Sequence, residues 1–307
     1  MNRFKTFVQC GSGCLAAVAL LSSCSRLPLL DPKGPIGATE RFVILVAIAL
    51  MMIVVVPVVV MVFWFSRKYR ASNIQAAYMP KWGRSGKIEW VIWLVPVIIV
   101  SILGTLIWIT THRLDPYEPV DSGVAPLRIE AVSMDWKWLF IYPDLGVATV
   151  NRLVFPVHVP LEFRLTSDTV MTSFFIPRLG SQIYAMAGMQ TRLHLLADYP
   201  GVYAGQNQQF SGRGYAEMNF EAIATSAEEF QRWLRQTRQS PDKLDLVRYR
   251  ELAKPSIDDP VALFSRVKPD LFDHILHQYG KTRSTEPGGR ALEPKSGTGL
   301  SGPSEAG

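Results

Sequence analysis

Cysteine is nearly absent from this chain. Its three cysteines, Cys10, Cys14 and Cys24, lie at the N-terminal end, and no cysteine follows them in the 307 residues. A folded domain without cysteine contains neither a disulfide nor a metal bound by thiolates. The sequence therefore excludes both features from everything after residue 24.

Acidic residues are missing from one basic stretch. Between Ser66 and Ile88 there is no aspartate or glutamate, although the stretch is strongly basic. It contains Arg67, Lys68, Arg70, Lys81, Arg84 and Lys87. Because two long apolar runs flank it, we interpret residues 66–89 as a cytoplasmic loop and not as a nucleic-acid-binding surface. We expect no nucleic acid among the partners of this protein.

Charge is also absent from the two runs that flank this loop. Phe42–Phe65 and Trp90–Thr111 contain 24 and 22 residues without a charged side chain. Each is long enough to cross the hydrocarbon core of a membrane as a helix. With the basic loop in the cytoplasm, both outer ends face the periplasm. We therefore predict a transmembrane helical hairpin with spans over residues 42–65 and 90–111.

The N-terminus has the pattern of a targeting segment. A basic start precedes an apolar run that ends in Leu21-Ser22-Ser23-Cys24, which is similar to a bacterial lipoprotein signal. We expect a signal peptide over residues 1–23, a lipid on Cys24 and a periplasmic segment over residues 24–41. The alternative is an ordinary signal peptide with a cysteine near its end by chance.

Beyond the second span the apolar pattern changes to a period of two. Residues 153–165, for example, alternate from Leu153 through Phe155 to Leu165, and turn-forming residues separate the alternating runs. Short alternating strands with regular turns are typical of an antiparallel sandwich or barrel. We therefore assign an all-β domain to residues 112–225.

The period becomes helical after this domain. Ser226 and Glu229 have the spacing of a capping box, and a second helix is predicted from Pro269 to Gly280. We assign residues 226–280 to a C-terminal helical arm. The composition of residues 281–307 predicts a disordered tail.

Three stretches resemble subunit II of the haem-copper terminal oxidases. They are Ser133–Trp138, Thr169–Pro177 and Pro200–Gln206. The resemblance implies a membrane α-helical hairpin of two transmembrane helices followed by a periplasmic all-β cupredoxin-like sandwich, with the helical arm at the C-terminus.

In the cytochrome c oxidases of this family, the sandwich binds a dinuclear copper centre through two His, two Cys, a Glu carbonyl and a Met. The resemblance places these ligand positions, in chain order, at Thr172, Asn207, Gln209, Ser211, Tyr215 and Met218. Only Met218 keeps the residue type. Because the copper pair needs two bridging thiolates, which Asn207 and Ser211 cannot supply, we expect a sandwich that lacks copper and no metal in this chain.

A continuous block over residues 175–194 and the arm around Phe264–Phe272 resemble the quinol-oxidising branch, the cytochrome bo-type ubiquinol oxidases. The resemblance implies a complex that oxidises ubiquinol, reduces oxygen to water and pumps protons. It implies no catalytic residue or cofactor in this chain, with haems and copper in subunit I. The expected partners are subunits I, III and IV and the lipids of the bacterial inner membrane.

Glu89 lies directly before the second span. An acid at this position is either a solvated residue favoured by the helix dipole or, as the resemblance implies, a proton-entry carboxylate. Two other classes of protein stay open on the sequence. One is a cytochrome c oxidase subunit II with an altered copper site, and the other is a membrane lipoprotein without a respiratory role.

Overall fold

The computed structural model describes residues 28–75, 83, 85–120 and 122–283. Several features predicted from sequence lie outside these residues. They are the signal peptide, the lipidated Cys24, two basic residues of the loop (Lys81 and Arg84) and the tail from residue 284 onward.

Two long apolar helices lead the described chain. Helix α1 spans Pro35–Lys68 and helix α2 spans Gly86–Arg113. No residue of their most apolar windows is buried, whereas a soluble protein buries such surfaces. Both helices are long enough to cross a membrane, and they confirm the two predicted apolar helices. They extend beyond the predicted spans at both ends, because polar residues at the membrane boundary continue the helical hydrogen bonding.

The rest of the described chain is a two-layered β-sandwich with an arm. The strands are β1 (Leu127–Met134), β2 (Lys137–Tyr142), β3 (Val147–Val150), β4 (Arg152–Pro156), β5 (Leu161–Ser167), β6 (Thr172–Ile176), β7 (Gly180–Ala185), β8 (Thr191–Leu195), β9 (Gly201–Gln206), β10 (Asn219–Thr225), β11 (Lys243–Leu244), β12 (Ala262–Phe264) and β13 (Arg266–Val267). One sheet has the strand order β12-β3-β2-β1-β5-β8, and the other has the order β4-β10-β9-β6-β7.

Strand pairing in the sandwich is mixed. Strand β1 pairs antiparallel with β2 and parallel with β5, and β10 pairs antiparallel with β9 and parallel with β4. Aromatic rings fill the space between the two sheets. The ring centroids of Phe174 and Phe220 lie 5.1 Å apart, and Trp138 meets Phe174 edge-on at 5.3 Å. The alternating apolar residues of the sequence supply this core, which confirms the predicted sandwich.

The C-terminal arm is built into the sandwich. It contains helices α3 (Ala227–Arg238), α4 (Leu246–Leu252) and α5 (Leu271–Arg283). Its strand β12 joins the edge of the first sheet by pairing with β3. A second apolar cluster lies between the outer face of this sheet and the arm, with Leu139 and Ile141 from β2 and Phe264 and Phe272 from the arm. Strand β2 is therefore buried on both faces.

The structure corrects three expectations about the arm. The arm is only partly helical, because β11, β12 and β13 lie between its helices. Helix α4 was not predicted from the sequence. Gly280 does not end the last helix, which continues to Arg283 and takes the first residues of the expected tail into the helix. A glycine inside a helix costs only about 1 kcal/mol, and the buried Leu271 and Ile275 already anchor this helix.

The predicted capping box is confirmed. The Ser226 hydroxyl accepts a hydrogen bond from the Glu229 backbone N–H, and the Glu229 carboxylate accepts one from the Ser226 backbone N–H. This capping box satisfies free donors at the first turn of α3. Helix α3 therefore begins directly after Ser226.

Candidate functional site

The candidate site lies where β6 begins and where β9 ends. Strands β6 and β9 are neighbours and pair at Phe175 and Gln206, so the start of β6 lies beside the loop of residues 207–218. Five of the six positions singled out from the sequence lie in this loop, and Thr172 is the first residue of β6. The fold therefore brings the two segments together.

Asn207 is the centre of this site, and its side chain is buried. Its Oδ1 accepts hydrogen bonds from the backbone N–H groups of Ser173 and Gln209, each at 2.9 Å. Its Nδ2 donates to the Gln209 carbonyl at 2.8 Å, the Ser211 hydroxyl at 3.2 Å and the Met218 sulfur at 3.4 Å. We call these five residues the Asn207 cluster. Both ends of the buried amide are satisfied.

Ser173 belongs to this cluster but was missed in the sequence. Its hydroxyl donates to Asn207 Oδ1 at 3.3 Å and accepts from the Gln208 backbone N–H at 2.7 Å. It thereby ties β6 to the first turn of the loop. The available signal was a second polar residue next to Thr172, at the start of a strand that is otherwise apolar and aromatic.

Two of the six positions are not part of the Asn207 cluster. Thr172 is buried, but its hydroxyl donates to the Ser133 hydroxyl at 2.6 Å. Tyr215 is half-buried in a short 3-10 turn, and its ring lies 5.8 Å from that of the exposed Phe210. The structure thus unites Asn207, Gln209, Ser211 and Met218 and gives Thr172 and Tyr215 other contacts.

Trp136 closes the site from the side of β1 and β2. Its indole N–H donates to the Ser211 carbonyl at 2.9 Å. Its ring lies against Gly214, where an added Cβ would stand only 2.6 Å from the ring. Glycine is therefore required at residue 214 for the loop to approach the indole. Trp136 therefore fixes the loop through both contacts.

The donor set of the Asn207 cluster does not fit a dinuclear copper centre. Such a centre needs soft, deprotonated sulfur ligands. Two backbone N–H groups donate to the Asn207 carbonyl oxygen, and its NH2 group donates to Ser211 and Met218. Asn207 therefore presents hydrogen atoms, and not a metal-binding lone pair, to Ser211 and Met218. Among the residues that the structure describes, no group of three His, Cys, Asp or Glu is placed to bind a metal.

Glu89 lies in the first turn of α2, where its backbone N–H donates to the Ser85 carbonyl at 3.0 Å. Its side chain is half-buried, next to the exposed Trp90. The first turn of a helix favours an acidic side chain. This position agrees with both interpretations of Glu89.

Comparison with known proteins places these features in a family. Residues 145–224 match the family described as cytochrome c oxidase subunit II, periplasmic domain, and residues 238–282 match the COX aromatic rich motif. The fold and the two matches define the class of the chain as an oxidase subunit II with a cupredoxin-like domain.

Full-length relatives define the branch. The chain is 53% identical to the cytochrome bo(3) ubiquinol oxidase subunit 2 of Pseudomonas aeruginosa, over 86% of this chain and 80% of that protein. It is 49% identical to the corresponding subunit of Pseudomonas putida, over 91% and 90% of the two chains. It is 48% identical to the ubiquinol oxidase subunit 2 of Acetobacter aceti, over 87% of each chain. The chain belongs to the subunit II family of the cytochrome bo-type ubiquinol oxidases.

Proposed function

We propose that this chain is the non-redox subunit II of a proton-pumping oxidase of the bacterial inner membrane, which oxidises ubiquinol and reduces oxygen to water. The observation that carries the proposal is the Asn207 cluster, in which an amide and a hydroxyl stand at the two thiolate positions of the copper-binding relatives. A sandwich without the copper pair has no centre that accepts an electron from cytochrome c. Electrons then enter from quinol within the membrane, and the haems and the copper belong to subunit I.

The role of this chain is then structural. Its hairpin braces subunit I, and its sandwich caps the periplasmic face of that subunit. Apolar side chains cover α1 and α2, which supports a role in helix packing within the membrane. Subunits III and IV complete the complex in this proposal.

The junction between α1 and the sandwich supports the capping role. The backbone N–H groups of Lys33 and Gly37 donate to the carbonyls of Arg178 and Leu179, at 2.6 and 3.1 Å. We call this contact, together with Gly34, the helix–sandwich junction. Gly34 lies so close to the sandwich that an added Cβ would stand 2.0 Å from the Leu196 carbonyl oxygen. A backbone junction of this kind holds a periplasmic domain at a fixed height over its membrane helices.

Glu89 contributes proton entry from the cytoplasm in this proposal. Its place at the start of α2, beside the basic loop, motivates the role. Glu89→Gln keeps the shape of the side chain and removes its charge. We expect slower quinol-driven turnover in a fully assembled complex, measured as oxygen uptake per haem. Parent-level turnover in the assembled Glu89→Gln complex would reject the proton-entry role and leave the interpretation of Glu89 as a solvated residue favoured by the helix dipole.

Cys24 carries a lipid in this proposal. The anchor adds to two transmembrane helices, so a Cys24→Ala chain should still assemble. Mass spectrometry of the mature chain decides whether the lipid is present. An unmodified mature N-terminus at another residue would remove the lipoprotein assignment.

One purification tests the proposed function as a whole. A complex isolated through an affinity tag on this chain should contain haem, oxidise ubiquinol and lack the near-infrared band of a dinuclear copper centre. Its copper content should not exceed that of subunit I alone. A near-infrared band with extra copper would favour a cytochrome c oxidase with an altered site. A preparation without haem would favour a lipoprotein outside respiration.

A further inference from the structure

A basic cluster ends the first membrane helix. Arg67, Lys68 and Arg70 follow Trp64 at the C-terminal end of α1, and all four side chains are exposed. In the part of the chain that the structure describes, none of the three basic residues has a carboxylate partner. Three unpaired positive charges therefore lie together at the end of a membrane span.

The chain folds back over these charges. The Asn73 side-chain amide donates to the Lys68 carbonyl at 2.6 Å, and its backbone N–H donates to the Arg70 carbonyl at 2.9 Å. The resulting open cavity has a volume of about 390 Å³. It is lined by Trp64, Arg67, Lys68, Arg70, Ser72 and Asn73. The lining is made of donors and cations, without a carboxylate.

Aromatic rings hold one of the charges at the level of the membrane interface. The Lys68 ammonium lies 5.2 Å from the centroid of the Trp64 ring and 5.5 Å from that of Tyr69. Such cation–π contacts fix an otherwise mobile ammonium group. Tryptophan and tyrosine favour the headgroup region of a bilayer. The cavity is thus placed at the depth where lipid phosphates lie.

We propose that this basic cluster binds the phosphodiester group of one anionic phospholipid in the cytoplasmic leaflet. Arginine binds phosphate oxygens in a bidentate manner, and the hydroxyl of Ser72 adds a donor. A zwitterionic headgroup also carries an ammonium group, for which the cavity offers no carboxylate. The chemistry therefore selects a lipid with net negative charge.

The orientation of the protein in the membrane does not by itself require this arrangement. Positive charges alone orient a helical hairpin, and basic residues in the last turn also favour the helix dipole. Neither effect needs the folded-back Asn73 turn or the stacked Lys68. The cavity is the feature that points to a bound ligand.

The test counts lipids retained by the purified complex. Arg67→Gln/Arg70→Gln removes two charges and leaves the Lys68 stack intact. Native mass spectrometry should show the loss of one tightly held anionic phospholipid per complex. Arg232→Gln/Arg235→Gln is the matched control, because these arginines have the same spacing and are exposed on α3 of the arm. The control complex should keep the parent lipid content.

Two further experiments make the result decisive. Reconstitution with phosphatidylglycerol or with cardiolipin as the anionic lipid identifies the preferred headgroup, and Arg67→Lys/Arg70→Lys should restore retention with either one. Unchanged retention of both lipids in the glutamine variant would overturn the proposal. If the double variant does not assemble, Arg70→Gln alone must show partial loss, and full retention there would overturn the proposal equally.

The inference rests on the proposed orientation with residues 66–89 in the cytoplasm. Ile74→Cys provides a separate readout, because the Ile74 side chain is 96% exposed. A membrane-impermeant thiol reagent should label it only after spheroplasts are permeabilised. Labelling of intact spheroplasts would reject the orientation itself. Internal labelling with unchanged lipid content would reject only the lipid site.

Discussion

The side-chain amide of Asn207 donates a hydrogen bond to the sulfur of Met218, with the nitrogen 3.4 Å from the sulfur. Met218 is 1% exposed, and it is the one of the six positions whose residue type matches the ligand of the copper-binding relatives. In our proposal, Asn207 stands at a thiolate position of those relatives. The buried amide would then link the loop residues that a metal holds together in the relatives.

The first prediction concerns this replacement. Asn207→Ala removes the acceptor of two backbone N–H groups, that of the buried Ser173 and that of the half-buried Gln209. We expect a loss of about 1–3 kcal/mol in the free energy of unfolding of the sandwich. Denaturant unfolding of the purified complex, followed by tryptophan fluorescence, measures it.

Asn219→Ala is the matched control for this prediction. Asn219 is exposed and follows Met218, and among the described residues its side-chain amide donates to the Ala216 carbonyl alone, at 3.0 Å. Its removal should change stability by less than about 0.5 kcal/mol. Equal effects of the two substitutions would show that the Asn207 cluster does not stabilise the loop.

The sequence predicted the location of the site better than its contacts. Alternation placed the strands, and the resemblance placed the six ligand positions on the two segments that do meet. The hydrogen bonds could not be predicted, because Ser173 is 34 residues before Asn207 and their contact depends on the pairing of β6 with β9. A local pattern carries no information about which side chain a buried amide will reach.

The packing of the arm on the sandwich also could not be predicted from local sequence patterns. Alternating strands predict one buried face, yet every residue of β2 is buried because the arm covers the second face. The available signal was Lys137, which lies within a run of large apolar residues. A lysine in such a run implies a buried partner, but the sequence does not say that the partner comes from residues 252–259.

The second prediction tests this buried lysine. The Lys137 side chain is 2% exposed, donates to the carbonyls of Leu252 and Lys254 at 2.9 and 3.1 Å, and forms an ion pair with the partly exposed Asp259. Lys137→Met removes the buried cation of this pair and leaves those carbonyls without a donor. We expect a loss of about 1–3 kcal/mol in the free energy of unfolding and release of the arm, detected as protease cleavage near residues 252–259.

Lys254→Met is the control, because its side chain is exposed and only its backbone carbonyl contacts Lys137. It should leave the arm resistant to protease. A resistant arm in the Lys137→Met chain would mean that the apolar cluster alone holds the arm.

The stability of the parent protein should also fall in acid, because of Asp259. Burial acts to raise the pKa of Asp259, but hydrogen bonds from Lys137 and Ser256 outweigh it and lower the pKa. This stabilisation is present above the unfolded pKa of about 3.9 and is lost as the pH falls below it.

The third prediction has the opposite dependence on pH. Burial raises the pKa of Asp168, against the hydrogen bonds from Gln278 and Tyr249. A carboxyl with a raised folded-state pKa favours folding below its unfolded pKa of about 3.9, and this contribution is lost as the pH rises through the folded-state pKa. Asp168→Asn keeps an acceptor for Gln278 without the charge. The thermal midpoint of the variant complex should therefore exceed that of the parent at pH 7 and converge with it near pH 4.

Asp242→Asn provides the comparison for Asp168→Asn. Asp242 is exposed, and its carboxylate has no hydrogen-bond partner among the described residues. Its substitution should shift the thermal midpoint equally at both pH values. A lower midpoint for Asp168→Asn at pH 7 would show that the ionised carboxylate is stabilising in its place and that burial does not dominate.

The fourth prediction concerns the helix–sandwich junction. Gly34→Ala places a Cβ 2.0 Å from the Leu196 carbonyl oxygen, a backbone atom that cannot move aside. The first turn of α1 must then shift, which breaks the hydrogen bond from the Gly37 N–H to Leu179 at 3.1 Å. We expect faster proteolysis between residues 33 and 40 in the assembled complex, and a loss of about 1–3 kcal/mol in stability from the steric clash.

Gly104→Ala is the control, because an added Cβ at Gly104 in α2 meets nothing within 4 Å. If Gly34→Ala is as resistant to protease as Gly104→Ala, the close approach at Gly34 does not hold the sandwich over the membrane helices.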